Sequence, residues 1–139
     1  MKKIISLLIT IIMLACVITS CANKKNDLLT IATQFEEQDY WVEIMIDDED
    51  IQDYADDLEI RSKGIECVLL VTPDEGSDAN KSGIFIFFED TKNASTAEKD
   101  LKKEIEKEDS FADYITRCIV KRNGTLVFVG SEYAWDDIK

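Results

Sequence analysis

The chain has no histidine, a single proline and five glycines in 139 residues, and only 16 basic side chains against 29 acidic ones. Lack of histidine removes the usual near-neutral general base and the commonest metal ligand. Ser-His-Asp and Cys-His nucleophilic mechanisms are therefore excluded, as are histidine-based zinc sites. The glycines stand apart at 64, 76, 83, 124 and 130, so there is no phosphate-cradling loop and nothing that argues for a dinucleotide turn. With a net charge of −13, the chain is repelled by nucleic-acid phosphate, and no nucleic-acid partner is expected. No motif calls for a cofactor.

What the sequence does contain begins at its N-terminus. Lys2 and Lys3 precede an apolar stretch from Ile4 to Val17, the length of an export h-region, and Ile18-Thr19-Ser20-Cys21 follows. The uncharged run to Ala22 is just long enough to span a bilayer, but Thr19, Ser20 and Cys21 make poor stop-transfer material.

This segment resembles a bacterial lipoprotein signal, which ends in an aliphatic residue, two small ones and the modified cysteine. Met13-Leu14-Ala15-Cys16 is a competing match with a bulkier Leu14 and a shorter apolar segment. The resemblance implies a signal peptide over residues 1–20, thioether-linked diacylglycerol with its fatty acyl chains on Cys21, and a polar tether to Asn26. Two long acyl chains hold a protein stably on a membrane. The implied location is the extracytoplasmic face of a membrane in the cell envelope. Removal of Lys2 and Lys3 leaves 14 basic and 29 acidic residues, a net charge of −15.

Residues 27–139 suit one acidic domain. Leu28, Ile31, Ala32 and Phe35 are spaced for a helix that Asp27 would cap, fading by Asp39. From Tyr40 to Ile46 a strand alternates, with Val42, Ile44 and Ile46 on one face and Trp41, Glu43 and Met45 on the other, which favours a sheet covered mainly on one side. Ile51, Tyr54, Ala55 and Leu58 give an acidic second helix a core-facing stripe. A strand from Ile65 leads to a polar loop containing Pro73 and Gly76, and Gly83–Phe88, apolar on both faces, reads as a central strand.

Ser95 and Glu98 form a capping-box pattern for a helix reaching Glu108, with Ala97, Leu101 and Ile105 as its stripe. Asn123-Gly124 marks a hairpin between strands 114–121 and 125–130, the first of them near an edge because Arg117 must reach solvent or a carboxylate. Ser131 caps a last helix carrying Ala134, Trp135 and Ile138. The expected fold class is α+β: a single domain with a largely antiparallel sheet of about five strands and packed helices, in the order α-β-α-β-β-α-β-β-α.

Candidate site residues follow from this layout. Trp41 beside Glu43 offers an aromatic platform next to an acid, and Tyr133 and Trp135 are further candidates for partner contact, although their spacing allows only one of them to pack inward. Asp47, Asp48 and Asp50 are weak metal candidates, since the run lacks the glycine and the final glutamate of an EF-hand loop. Glu75 and Asp78 lie in the polar loop. Cys67 and Cys118, in separate strands, suit either a disulfide or two small buried hydrophobes.

The leading expectation is a noncatalytic, membrane-anchored binding or accessory domain for an envelope protein or a cationic peptide. An envelope-enzyme inhibitor or a carboxylate-dependent hydrolase is the alternative. Convergence of Glu43, Asp47, Glu89 and Asp90 on a pocket would favour hydrolysis, which needs two carboxyl groups roughly 5–9 Å apart, whereas dispersion would favour binding.

Overall fold

Strand register organises the molecule. The computed structural model describes residues 25–74, 81–107 and 118–136. Within them run α1 (Lys25–Glu36), β1 (Tyr40–Met45), α2 (Asp48–Asp57), β2 (Ile65–Pro73), β3 (Gly83–Phe88), α3 (Thr91–Lys107), β4 (Cys118–Asn123), β5 (Leu126–Ser131) and α4 (Glu132–Asp136). The strands form one sheet in the order β1-β2-β3-β5-β4, every neighbouring pair antiparallel. This is the α+β domain with a five-stranded antiparallel sheet that the sequence implies. The signal segment and Cys21 lie outside the described residues, as do Glu75, Asp78, Arg117 and Ile138.

β3 is apolar on both faces because both faces are covered. Phe85 and Phe87 point to one side, where Leu28, Ile31, Ala32 and Phe35 of α1 and Ala134 of α4 pack with Cys67, Leu69, Val71 and Phe128. An aromatic chain runs through that layer: Phe35 to Phe85 at 5.7 Å between centroids, Phe85 to Phe128 at 4.8 Å and Phe128 to Trp135 at 5.2 Å. On the other side Ile86 and Phe88 join Val68, Val127 and Val129 beneath Ile51 and Ala55 of α2 and Ala94, Ala97 and Leu101 of α3. Buried aromatics of this size dominate a core's energetics.

Several expectations are corrected. The sheet is covered on both faces, and the alternation of β1 reflects its place at the margin, where Met45 packs on the core while Trp41 and Glu43 stand clear of it. α1 is already helical at Lys25, so Asp27 lies inside it and the last two residues of the expected tether are helix. The cap of α3 is Asp90: its carboxylate accepts the Asn93 N–H at 2.8 Å through Oδ1 and the Asn93 side-chain amide at 2.8 Å through Oδ2. Such caps are worth about 1 kcal/mol. Ser95 and Glu98 fall in the helix interior, where Glu98 has other partners.

The hairpin between β4 and β5 exists, but its loop is Gly124-Thr125, since Asn123 pairs with Leu126. Gly124 has φ +62°, as a glycine at the first loop position of a type II′ turn requires. β4 is an edge strand, as the sequence suggested. Ser131 caps α4 by accepting the Tyr133 N–H at 3.2 Å.

Candidate functional site

The face beneath α2 and α3 is fully roofed over its middle but open at one end. Across it Glu43 pairs with Leu70, Leu70 with Ile84, and Ile84 with Val129, giving one acid followed by three apolar side chains. One step further out Trp41 pairs with Thr72 and Ser131 with Cys118. Ser82 belongs to the same margin, its carbonyl accepting the Ser131 N–H at 2.9 Å. A cleft of about 190 Å³ opens here, with Leu70, Ile84 and Val129 as its apolar floor, Thr72 and Ser82 at its margin and Tyr54 of α2 above.

Tyr54 sets the electrostatics. Burial, then the charge of Asp57 and then that of Glu43 push its hydroxyl up to about 12. The phenol is therefore a hydrogen-bond donor at every physiological pH and never a base. Among the described residues no carboxylate, amine or thiol lines the cleft. Its volume, room for about six water molecules at 30 Å³ each, is below the roughly 300 Å³ at which cofactor pockets begin. It fits one apolar side chain.

Charge around this corner is mainly negative, with Lys81 beside Ser82 as an exposed exception. Residues 36–60 hold twelve acidic side chains and no Lys or Arg. Among the described residues Glu43, Asp48, Glu49, Asp50, Asp53 and Asp57 have no basic partner; the described ion pairs lie elsewhere, between Lys102 and Glu98, Arg122 and Glu98, and Lys107 and Glu104. Uncompensated charge beside an apolar cleft attracts cations and raises their encounter rate.

The structure brings some of the expected site residues together and separates others. Trp41, 71% exposed, and Glu43 share one face of β1 and flank the cleft. Tyr133 and Trp135 belong to α4 on the opposite side of the sheet: Trp135 packs on Phe128, and Tyr133 is 55% exposed. The four do not form one patch. Asp47 precedes the first turn of α2, which contains Asp48 and Asp50, and all are exposed on a helix end instead of turned to a point. Among the described residues no three acids or cysteines form a metal-sized cluster.

The four acids Glu43, Asp47, Glu89 and Asp90 do not converge on a pocket. Glu43 is level with Ile84, whereas Glu89 lies five residues further along the chain from Ile84, about 16 Å away by strand rise. Asp90 is committed to its cap. Neither Cys67 nor Cys118 is in a disulfide. Their strands have β3 and β5 between them, a separation of roughly 14 Å, and the two side chains serve opposite cores. A disulfide needs Cα atoms within about 7 Å, so that expectation is overturned and the buried-hydrophobe alternative holds for Cys67.

Sequence reasoning missed the cleft itself. Tyr54 read only as part of a helix stripe, and Thr72, Ser82 and Val129 carry no motif; the strand order alone makes them neighbours. No protein-family model, curated protein or solved structure matches the chain. Among the described residues no helix is long and apolar enough to cross a membrane.

Proposed function

We propose that the chain is a noncatalytic, lipid-anchored extracytoplasmic domain that binds a basic polypeptide segment, with one apolar side chain of that segment seated in the cleft beneath Tyr54. The anchor in this reading is Cys21, on the strength of the resemblance of residues 1–21 to a lipoprotein signal. The observation that carries the binding role is the joining of an apolar-floored cleft to a corner whose Glu43 and Asp57, among the described residues, have no ion-pair partner. A lysine or arginine beside the seated residue would meet Glu43 or Asp57, and the Tyr54 hydroxyl would donate to a backbone carbonyl. Dispersion of Glu43, Asp47, Glu89 and Asp90 favours this role over hydrolysis.

The test is a calorimetric titration of the full-length chain in nonionic detergent with a lysine-rich peptide containing one leucine. Saturable binding that weakens with salt is expected. Replacing the leucine by serine should lower affinity about tenfold or more, since full burial of such a side chain contributes roughly 1.5–3 kcal/mol. Absence of saturable binding, or turnover of the peptide or of a cell-wall glycan, would reverse the assignment.

A further inference from the structure

Among the described residues the outer edge of β1 has no strand beside it. We propose that this edge is a docking rail on which the basic segment adds as a sixth strand, antiparallel or parallel to β1. The inference deepens the binding role above and depends on it for the chemistry of the occupant. At the end of a sheet, unpaired N–H and C=O groups template the pairing of another chain, and proteins blunt such edges with lysine, proline, bulges or covering elements.

Among the described residues β1 has no lysine, proline or bulge and no strand on its outer side, and its one charged side chain is Glu43. Its partner is β2 alone, and the register from Tyr40 opposite Pro73 to Met45 opposite Val68 runs without a shift over all six residues. Its sequence, Tyr-Trp-Val-Glu-Ile-Met, has no proline, glycine or lysine. The other edge differs: β4 carries Lys121 and Arg122, and Arg122 is tied to α3 through Glu98. Among the described residues, then, basic side chains and an ion pair guard one edge, and a single acid the other.

Charge selects the occupant. β1 lies within the 36–60 segment, with three of its twelve acids before the strand and eight after, so both ends of the edge lead into negative charge. A second copy of the chain pairing through β1 would bring Glu43 and the acidic α2 of each copy together, and like charges across a strand pair are destabilising. A basic strand has the opposite result. Its side chains on the α2 side would lie about 5 Å from Trp41 and Glu43, gaining an aromatic surface and an ion pair. Alternate side chains on the other side would extend the apolar row of Tyr40, Val42 and Ile44.

The recognised pattern is therefore basic and apolar residues in strict alternation, with main-chain hydrogen bonds supplying affinity and alternate side chains supplying selectivity. It also accounts for an exposed tryptophan on a sheet edge, where a large apolar ring is otherwise left in water.

Hydrogen exchange on the full-length chain in nonionic detergent, with and without an alternating lysine–valine hexapeptide, tests the proposal. Slower exchange confined to alternate amides of residues 40–45 is expected, and a peptide N-methylated at alternate positions on one edge should bind about tenfold or more weakly, having lost several hydrogen bonds of about 1 kcal/mol each. Glu43→Lys should transfer preference to a second probe, an alternating glutamate–valine hexapeptide. Binding without protection of 40–45 would overturn the rail while leaving the cleft reading intact. Protection of 40–45 in a self-associated chain without peptide would replace the basic strand by a second copy. No binding of either peptide would end both readings.

Discussion

Arg122 donates from Nε to Oε2 of Glu98 at 2.7 Å, joining edge strand β4 to the middle of α3 across 24 residues of sequence. Glu98 also accepts from Lys102 at 2.7 Å through its other oxygen. The Lys102 hydrogen bond, then that of Arg122, holds the Glu98 carboxyl below its ordinary range.

A carboxyl with a depressed folded-state pKa stabilises the fold above its unfolded value, and that contribution disappears as pH falls through the folded value. Glu98→Gln is therefore expected to cost roughly 0.5–1 kcal/mol at pH 7. The difference from wild type should shrink to nothing under acid conditions. Urea unfolding of both proteins across a pH series measures it, and a pH-independent difference would argue for a packing effect.

Tyr54 has the opposite sign. Its hydroxyl, raised to about 12, keeps its proton longer in the folded protein than in the unfolded chain, where it titrates near 10. Stability from this group is complete below pH 10 and is lost as pH rises toward 12. Absorbance titration of the phenolate should show a late step that Tyr54→Phe removes, and Asp57→Asn should move that step to lower pH.

Two glycines should respond very differently to alanine. Gly130 has φ +151°, and an added Cβ would lie 2.6 Å from the Gly83 Cα and 2.7 Å from the Ser82 carbonyl oxygen, both backbone atoms that cannot step aside cheaply. Gly130→Ala is expected to destabilise by roughly 3 kcal/mol, combining backbone strain with overpacking. At Gly124 nothing lies within 4 Å, so only the positive φ is penalised and Gly124→Ala should cost about 1 kcal/mol. Thermal unfolding of the two variants compares them directly.

The two strand thiols should label at unequal rates. Cys67 is fully buried between α1 and the sheet, whereas Cys118 is partly accessible with its thiol pushed up by burial, against a weaker opposing hydrogen bond from the Gly130 backbone. With a neutral-pH thiol reagent under native conditions, Cys118 should react slowly and Cys67 only on unfolding. Oxidant should not link them. Recovery of an intramolecular Cys67–Cys118 crosslink from folded protein would contradict the strand order.

Most of the fold was legible because local pattern and final environment agree. Gly83–Phe88 is apolar at every position after its glycine, and it became the central strand with both faces covered. Ile51, Tyr54 and Ala55 have helical spacing, and α2 places all three on the sheet. Failures occurred where a local signal had a stronger competitor nearby. Ser95 and Glu98 match a capping box, but Asp90 with Asn93 starts the helix more than a turn earlier, and the sheet then recruits Glu98 for Arg122.

Long-range relations were less visible. Cys67 and Cys118 look like equivalent strand cysteines until the order β1-β2-β3-β5-β4 inserts two strands between them. The cleft has the same origin. Its floor combines residues from β2, β3 and β5 whose adjacency depends on α3 carrying the chain from β3 to the far edge, so that β5 returns inside it. Trp41 and Glu43, neighbours along a single strand, were the part of the site that local alternation exposed.

α1 is helical from Lys25, and only Ala22, Asn23 and Lys24 separate it from Cys21. On the proposed acylation, this leash spans about 14 Å at full stretch, less than half the thickness of the hydrocarbon layer beneath it. The domain would then sample a thin shell above the bilayer instead of the wider extracytoplasmic space. A segment bound there would be held at the membrane surface, and neighbouring copies would meet in two dimensions, with their acidic segments keeping them apart.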